Sequence, residues 1–252
     1  MKQTKLKYSR KLAHKIRDII RSTKNKISIA KFRVACKFRK ALNAKIHLDG
    51  ISIAKFKVAC KFRKVQNAKI HVGCGKYNLD GYINSDIRDL PNVHLVCKAW
   101  ELDRFAENAA EIYSRHMIEH LTLHEMMTTV RIWYKCLRPG GKIILLCPDM
   151  DFHVQQYLNA KWTDEEWDNH CKGSNAKWSF AGFWGHQRGT EDIFHRTSNP
   201  NLYWDVHKSG YNKKSMLFFL KRALPQGYIA ETKTIPLKNG VGLHLETVIT
   251  KT

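Results

Sequence analysis

A chain of 252 residues with 43% apolar residues and seven tryptophans can bury a sizeable core, which excludes wholesale disorder. Its longest apolar runs, such as 143–147, fall far short of the ~20 residues that cross a bilayer. The basic N-terminus lacks the apolar centre of a signal peptide, and seven cysteines in no paired spacing argue against a secreted disulfide framework and for a reducing cytoplasm.

The charge is uneven. Residues 1–68 carry 21 Lys+Arg against 2 Asp+Glu, whereas residues 69–252 carry 23 against 20. The formal net charge of +22 therefore describes a basic arm joined to an ordinary domain, and the expected division is 1–67 and 68–252. Within the arm, residues 27–50 (ISIAKFRVACKFRKALNAKIHLDG) and 51–75 (ISIAKFKVACKFRKVQNAKIHVGCG) repeat with a period of 24. Two copies are too few for a solenoid. In the second, Ile51, Ala54, Val58 and Phe62 step at helical spacing among Lys55, Lys57, Lys61, Arg63 and Lys64, which predicts a basic helical extension, although 55–58 also alternate. Such a helix can be a solvated face packed on its neighbour, a contact for anionic membrane lipid, or a phosphate binder. No nucleic-acid module accompanies the charge, so nucleic acid is the weaker partner expectation.

Beyond the arm, residues 68–72 (AKIHV) predict a buried strand that ends in Gly73-Cys74-Gly75. A G-x-G turn lets backbone approach a ligand with no Cβ in the way. Residues 81–86 (GYINSD) predict a second strand whose last residue, Asp86, is an acid placed to accept hydrogen bonds from ribose hydroxyls. Further strands are expected at 93–97 and 111–114. A helix is then expected over 119–137, stopped by Pro139-Gly140-Gly141, followed by a buried strand at 142–147. Strands alternating with helices imply a doubly wound sheet whose ligand lies beyond the carboxyl ends of the strands. A helix at 214–223 and strands at 228–234 and 243–250 complete the expectation.

HVGCG, NSDI, EIYSRHMIEHL and CLRPGGKIILLCPD, in this order, resemble the class I S-adenosylmethionine-dependent methyltransferases. More narrowly they are similar to the type-11-like methyltransferases often found with polysaccharide-biosynthesis enzymes. The resemblance spans roughly residues 68–250. It implies an α/β, Rossmann-like, seven-stranded sheet with an antiparallel last hairpin, and S-adenosyl-L-methionine as cofactor. By position it implies that Gly73, Cys74 and Gly75 hold the methionine part, that Asp86 binds the ribose, that Lys98, Ala99 and Trp100 line the adenine, and that Arg115 and His116 sit near the methyl group. Two departures stand out. Lys98 replaces the usual acid, and only residues 76–80 separate the glycine turn from Gly81, so the first crossover helix is expected to be rudimentary or absent.

His116 is the first candidate general base and His207 the second, and His186 and Gln187 are expected to orient the acceptor. Residues 116–120 also match H-x-x-E-H, a zinc-peptidase pattern in which two histidines chelate from one helix. The bland alternative makes Glu119 and His120 the cap of the following helix, and no metal ligand is assigned. Trp162, Trp167, Trp178, Phe180, Phe183, Trp184 and Trp204, interleaved with His170, His186, Gln187, Arg188, Asp192, His195 and His207, suit either a small lid core or a surface for a sugar-like acceptor. The expected activity is methyl transfer to a small-molecule or glycan acceptor. The competing expectations are a non-catalytic binding protein tethered by its basic arm, and the zinc peptidase.

Overall fold

The computed structural model describes residues 64–168, 174–187, 205–236 and 242–252. The first repeat copy, the second as far as residue 63 and the rest of the expected basic extension before them lie outside the described residues, as do His170, Arg188, Asp192, His195 and Trp204. In chain order the strands are β1 (Val65–Gln66), β2 (Lys69–Val72), β3 (Tyr82–Asp86), β4 (Leu95–Val96), β5 (Ala106–Glu107), β6 (Ala109–Arg115), β7 (Leu137–Pro148), β8 (Tyr228–Pro236) and β9 (Leu243–Lys251). The helices are α1 (Leu123–Cys136), α2 (Met150–Leu158), α3 (Asp164–Asp168), α4 (Asn175–Trp184) and α5 (Lys213–Ala223), with 3-10 turns at Ala99–Arg104 and Ile118–His120.

Seven strands form one sheet in the order β4-β3-β2-β6-β7-β9-β8, and β1 pairs with β5 beside it. β2 lies parallel to both β3 and β6, so the chain reverses its direction of travel across the sheet at β2. β9 runs antiparallel to β7 and to β8. This is the Rossmann-like, seven-stranded α/β sheet with a terminal antiparallel hairpin that the sequence implied. Ile70, Ile112, Ile143 and Ile249 are fully buried and pair in register across β2, β6, β7 and β9, one apolar line across the middle of the sheet, and Leu145 and Leu245 are fully buried as well. Burying each such side chain contributes about 1.5–3 kcal/mol.

Two boundaries differ from expectation for physical reasons. The helix expected from 119 begins at Leu123. Thr122 accepts a hydrogen bond from the Glu125 N–H at 3.3 Å while the Glu125 carboxylate accepts from the Thr122 N–H at 2.8 Å. That reciprocal capping box fixes the start, and Glu119 and His120 do not cap α1. Pro139-Gly140-Gly141 lies inside β7, because the pairing with β6 shifts register between Ala109 and Glu111 and β7 absorbs the irregularity.

The first crossover contains only turns over residues 73–81, as expected. β2 is four residues long, so the chain descends only ~13 Å before entering β3. Nine extended residues reach about twice that far, and no helix is needed.

On α1 the buried Met126, Val130 and Trp133 follow the i, i+4, i+7 stripe of a core-facing helix. The fully buried Trp133 indole donates to the Ala99 carbonyl at 2.8 Å, tying α1 to the 3-10 turn. Trp133→Phe removes that donor and leaves a carbonyl unmet, so it is expected to cost about 1–3 kcal/mol, read as a lowered midpoint in urea with unchanged slope.

Candidate functional site

The glycine turn sits at the carboxyl end of β2. Gly73 and Gly75 have φ of +70° and +55°, the left-handed region that glycine enters without penalty. The Gly73 and Cys74 N–H groups donate to the Ser85 carbonyl at 2.8 and 3.1 Å. The Gly75 N–H donates to the Asp86 carboxylate at 2.8 Å. The turn and the acid on the neighbouring strand therefore form one unit. A Cβ on Gly75 would meet only the Arg88 guanidinium, at 3.4 Å, so this backbone is approachable once a flexible side chain moves.

Asp86 is 4% exposed. Besides Gly75, it accepts from the Arg88 backbone N–H at 2.9 Å, from Arg88 Nε at 3.0 Å and from Arg88 Nη2 at 3.3 Å. Burial alone would raise its pKa, but the Arg88 and Gly75 hydrogen bonds outweigh burial and hold the carboxyl below its ordinary value. Cys74 is buried, and its thiol is pushed up to about 12, first by burial and then by the Asp86 charge. It is a packing residue and not a nucleophile.

The second half of the site follows β6. His116 adopts φ +49°, an uncommon conformation for a residue with a side chain. Its Nδ1 lies 3.0 Å from Glu119 Oε1 and its Nε2 lies 2.9 Å from His244 Nε2 on β9. A carboxylate only accepts, so Nδ1 carries the proton toward Glu119. Glu119 is 1% exposed. Burial would raise its pKa, but the hydrogen bond from His116 and the charges of His116, His120 and His207 outweigh burial and keep it low. His244 is lowered to about 4, first by burial and then by the neighbouring His116 charge, so it is neutral at pH 7. A buried acid thus orients a half-exposed imidazole, the usual arrangement of a general base and its positioning partner.

The two halves touch. A Cβ on Gly73 would lie 2.3 Å from Met117 Cγ, so the turn after β6 packs directly on the turn after β2. The structure thereby brings together Gly73, Cys74, Gly75 and Asp86 and sets Met117, the residue after His116, against Gly73.

Other sequence candidates lie at varied distances from this unit. Lys98, Ala99 and Trp100 begin the 3-10 turn; Lys98 Nζ lies 5.7 Å from the centre of the Trp100 ring, and the Ala99 carbonyl is taken by Trp133. Arg115 is exposed at the end of β6. His207 stands beside His120, with ring centres 4.9 Å apart, and its Nδ1 lies 2.8 Å from the Gly182 carbonyl. His186 is exposed and Gln187, at φ +53°, is half-buried, just past α4.

Residues 116–120 do not form one helix, because His116 precedes the 3-10 turn and pairs with His244 while His120 pairs with His207. The helical chelate of a zinc peptidase is therefore not formed. The insertion aromatics contact one another: Tyr157 and Trp162 at 5.1 Å between centroids, Trp167 and Phe180 at 5.5 Å, and Phe180 and Trp184 at 5.0 Å. Trp162, Trp167 and Trp184 nevertheless stay substantially exposed.

Sequence reasoning missed Arg88, Met117 and His244. Arg88 carried the one available signal, a cation two residues after the acid. A separate cleft of about 360 Å³, lined by residues including Arg131, Tyr134, Arg222 and Leu224, contains none of the strand-tip residues described above.

No known family model matches the sequence, and no curated protein matches it. Among solved structures, the chain is similar to a SAM-dependent methyltransferase from Methanosarcina mazei at 12% identity, covering 76% of this chain and 95% of that one, with a TM-score of 0.44. It is similar to the Burkholderia thailandensis 1,6-didemethyltoxoflavin-N1-methyltransferase, which holds S-adenosylhomocysteine, at 10% identity, 90% and 89% coverage and a TM-score of 0.43. The plantazolicin methyltransferase BamL, in complex with SAH, gives 9% identity, 87% and 90% coverage and a TM-score of 0.45. At such values the strand order and register described above remain the basis for the fold.

Proposed function

We propose that the chain is an S-adenosylmethionine-dependent methyltransferase acting on a hydroxylated small molecule or glycan, of the kind met in polysaccharide assembly. The observation that carries this reading is the Gly75 N–H resting on the Asp86 carboxylate across adjacent parallel strands at the point where the sheet reverses. The glycine turn suits the amino-acid end of the cofactor, and Asp86 suits its ribose once Arg88 swings aside. Lys98, Ala99 and Trp100 suit the adenine edge, with Arg115 near the sulfur. When bound, the cofactor supplies a methyl group on a positively charged sulfur, an electrophile with its leaving group already built in.

The chain's own residues then have two tasks. One is to hold an acceptor oxygen in line, about 3 Å from the methyl carbon, a task we assign to His186 and Gln187 just past α4. The other is to take the hydroxyl proton. His116 Nε2 does this, with the acceptor hydroxyl competing against His244 for the same lone pair and Glu119 fixing the ring. His116→Gln is expected to lower methyl transfer by about 10²–10⁴-fold while leaving cofactor affinity unchanged, measured as labelled methyl uptake into a panel of hydroxylated acceptors.

The test of the reading is calorimetry with S-adenosylhomocysteine. Saturable heat at one equivalent supports it, and no heat at millimolar concentration removes it. A second reading, a non-catalytic binding protein, is favoured by the Arg88 contacts that already fill Asp86. Cofactor binding without methyl transfer to any acceptor would select it.

We also propose that residues 1–67 make peripheral contact with anionic membrane at the cytoplasmic face. Among the described residues no helix is long and apolar enough to cross a membrane. Deleting residues 1–50 is expected to reduce pelleting with phosphatidylserine vesicles at low salt and leave cofactor affinity intact. Equal pelleting of both proteins would refute the contact.

A further inference from the structure

Beside the His116 base lies a second set of side chains that proton transfer does not use. One ligand atom each from Glu119, His120 and His207 lie within 4.8 Å of one another. Glu119 divides its carboxylate: Oε1 takes His116, whereas Oε2 is buried and has no hydrogen-bond partner among the described residues. A buried, unmet oxygen on an ionised carboxylate costs on the order of 1–3 kcal/mol or more and calls for a missing partner.

The two imidazoles are set to supply that partner's remaining ligands. His120 Nδ1 lies 3.2 Å from the Val206 carbonyl, and His207 Nδ1 lies 2.8 Å from the Gly182 carbonyl. Carbonyls only accept, so both Nδ1 atoms carry hydrogen and both Nε2 atoms keep their lone pairs. Imidazoles that bind a metal through one nitrogen commonly donate the other N–H to a backbone carbonyl in this way.

The chain holds the three together. The Lys208 and Ser209 N–H groups donate to the Glu119 carbonyl at 2.8 and 3.1 Å, and the His207 N–H donates to the Trp184 carbonyl at 3.2 Å. The loop bearing His207 is thus pinned to the turn bearing Glu119 and His120, although 87 residues separate His207 from His120.

We propose that Glu119 Oε2, His120 Nε2 and His207 Nε2 bind one divalent first-row transition-metal ion. Two imidazoles and one carboxylate on one side of an ion suit Zn²⁺, Fe²⁺ or Co²⁺ and leave coordination positions open. Ligand atoms ~2.0–2.2 Å from an ion stand roughly 3–3.6 Å apart, so a pair at the 4.8 Å limit closes by about 1.2–1.8 Å, within reach of side-chain rotation. On the methyltransferase reading, on which this role rests, the open positions face the acceptor. They take its hydroxyl oxygens, and His207 is a metal ligand instead of a second base.

The experiment is a Co²⁺ titration of the full chain, freed of any affinity tag, followed by its visible d–d bands. The expected result is bands that saturate at one equivalent and are displaced by Zn²⁺. Glu119→Gln and His207→Ala should each weaken Co²⁺ binding about 100-fold or more, while His186→Ala leaves the bands unchanged. Thermal midpoints in chelator check that each variant is folded; if His207→Ala is not, His207→Asn replaces it. No saturable bands in the unmodified chain overturns the proposal, and so do bands that persist in both folded ligand variants. The readout needs no S-adenosylmethionine, so loss of the cofactor reading and loss of the metal site are told apart.

Discussion

Asp86→Ala is expected to weaken S-adenosylhomocysteine binding by about 1.5–3 kcal/mol, roughly 10- to 150-fold, the worth of hydrogen bonds to a charged group. The substitution also strips partners from the Gly75 N–H and from Arg88, so calorimetry should be paired with a denaturation curve that separates affinity from folding. The Arg88 contacts sharpen the test. A carboxylate offers about four lone-pair sites, and Gly75 and Arg88 together already make four hydrogen bonds to Asp86. A ribose reaches Asp86 only by displacing the Arg88 side chain. Arg88→Ala should therefore tighten binding, by up to ~5-fold, since a partly exposed ion pair contributes only ~0–1 kcal/mol. Weaker binding in Arg88→Ala would show that the guanidinium contacts the ligand itself. Unchanged affinity in Asp86→Ala would show that the ribose is held elsewhere.

The same pair sets a pH dependence. The Asp86 carboxyl is held below its ordinary 3.8 in the folded chain. Its contribution to stability is thus fully present above the unfolded value and is lost as pH falls through the folded one. Asp86→Asn should flatten the stability curve in that acid window and leave its shape near neutrality unchanged.

These contacts show which parts of the molecule were legible as sequence and which were not. β2, β3, β6, β7 and the β8–β9 hairpin announced themselves through short apolar runs bounded by turn residues, because strand formation there depends on local pattern. Gly73, Gly75 and Asp86 were legible for the same reason: the turn chemistry and the acid lie within fourteen residues. The Glu119 surroundings were not. Its imidazole neighbours are drawn from the turn after β6, the loop before α5, and β9, and His116 and His244 are 128 residues apart. H-x-x-E-H suggested a helical chelate because local spacing is all that a motif encodes. The actual path breaks at His116, whose left-handed backbone sends that imidazole toward β9, leaving His120 for the loop that carries His207. The start of α1 was misread for a related reason. The apolar period drew attention to 119, whereas Thr122 and Glu125 hold the capping box.

Gly73→Ala tests whether the two turns act as one body. At φ +70° the new methyl group would stand 2.3 Å from Met117 Cγ and 2.7 Å from Met117 Cβ, far inside contact distance. The left-handed backbone costs an alanine about 1–2 kcal/mol, and forcing extra volume into packed surroundings costs about 1–3 more. The expected loss is about 2–5 kcal/mol, a fall of roughly 5–15 °C in thermal midpoint for a domain of this size. Gly81 supplies the control: its φ is +78°, but a Cβ there meets nothing within 4 Å, so Gly81→Ala should show only the backbone part. Adding Met117→Ala to Gly73→Ala should return the steric part of the loss. The functional consequence follows from the same contact. Met117 is the neighbour of His116, so a displaced Met117 rotates the strained His116 turn away from the proposed cofactor cradle. Gly73→Ala should then lose methyl transfer beyond what its reduced folded fraction and cofactor affinity explain, and the Met117→Ala partner should recover part of it. Equal losses in Gly73→Ala and Gly81→Ala would show that the turns after β2 and β6 move independently and that His116 is not positioned by the glycine turn.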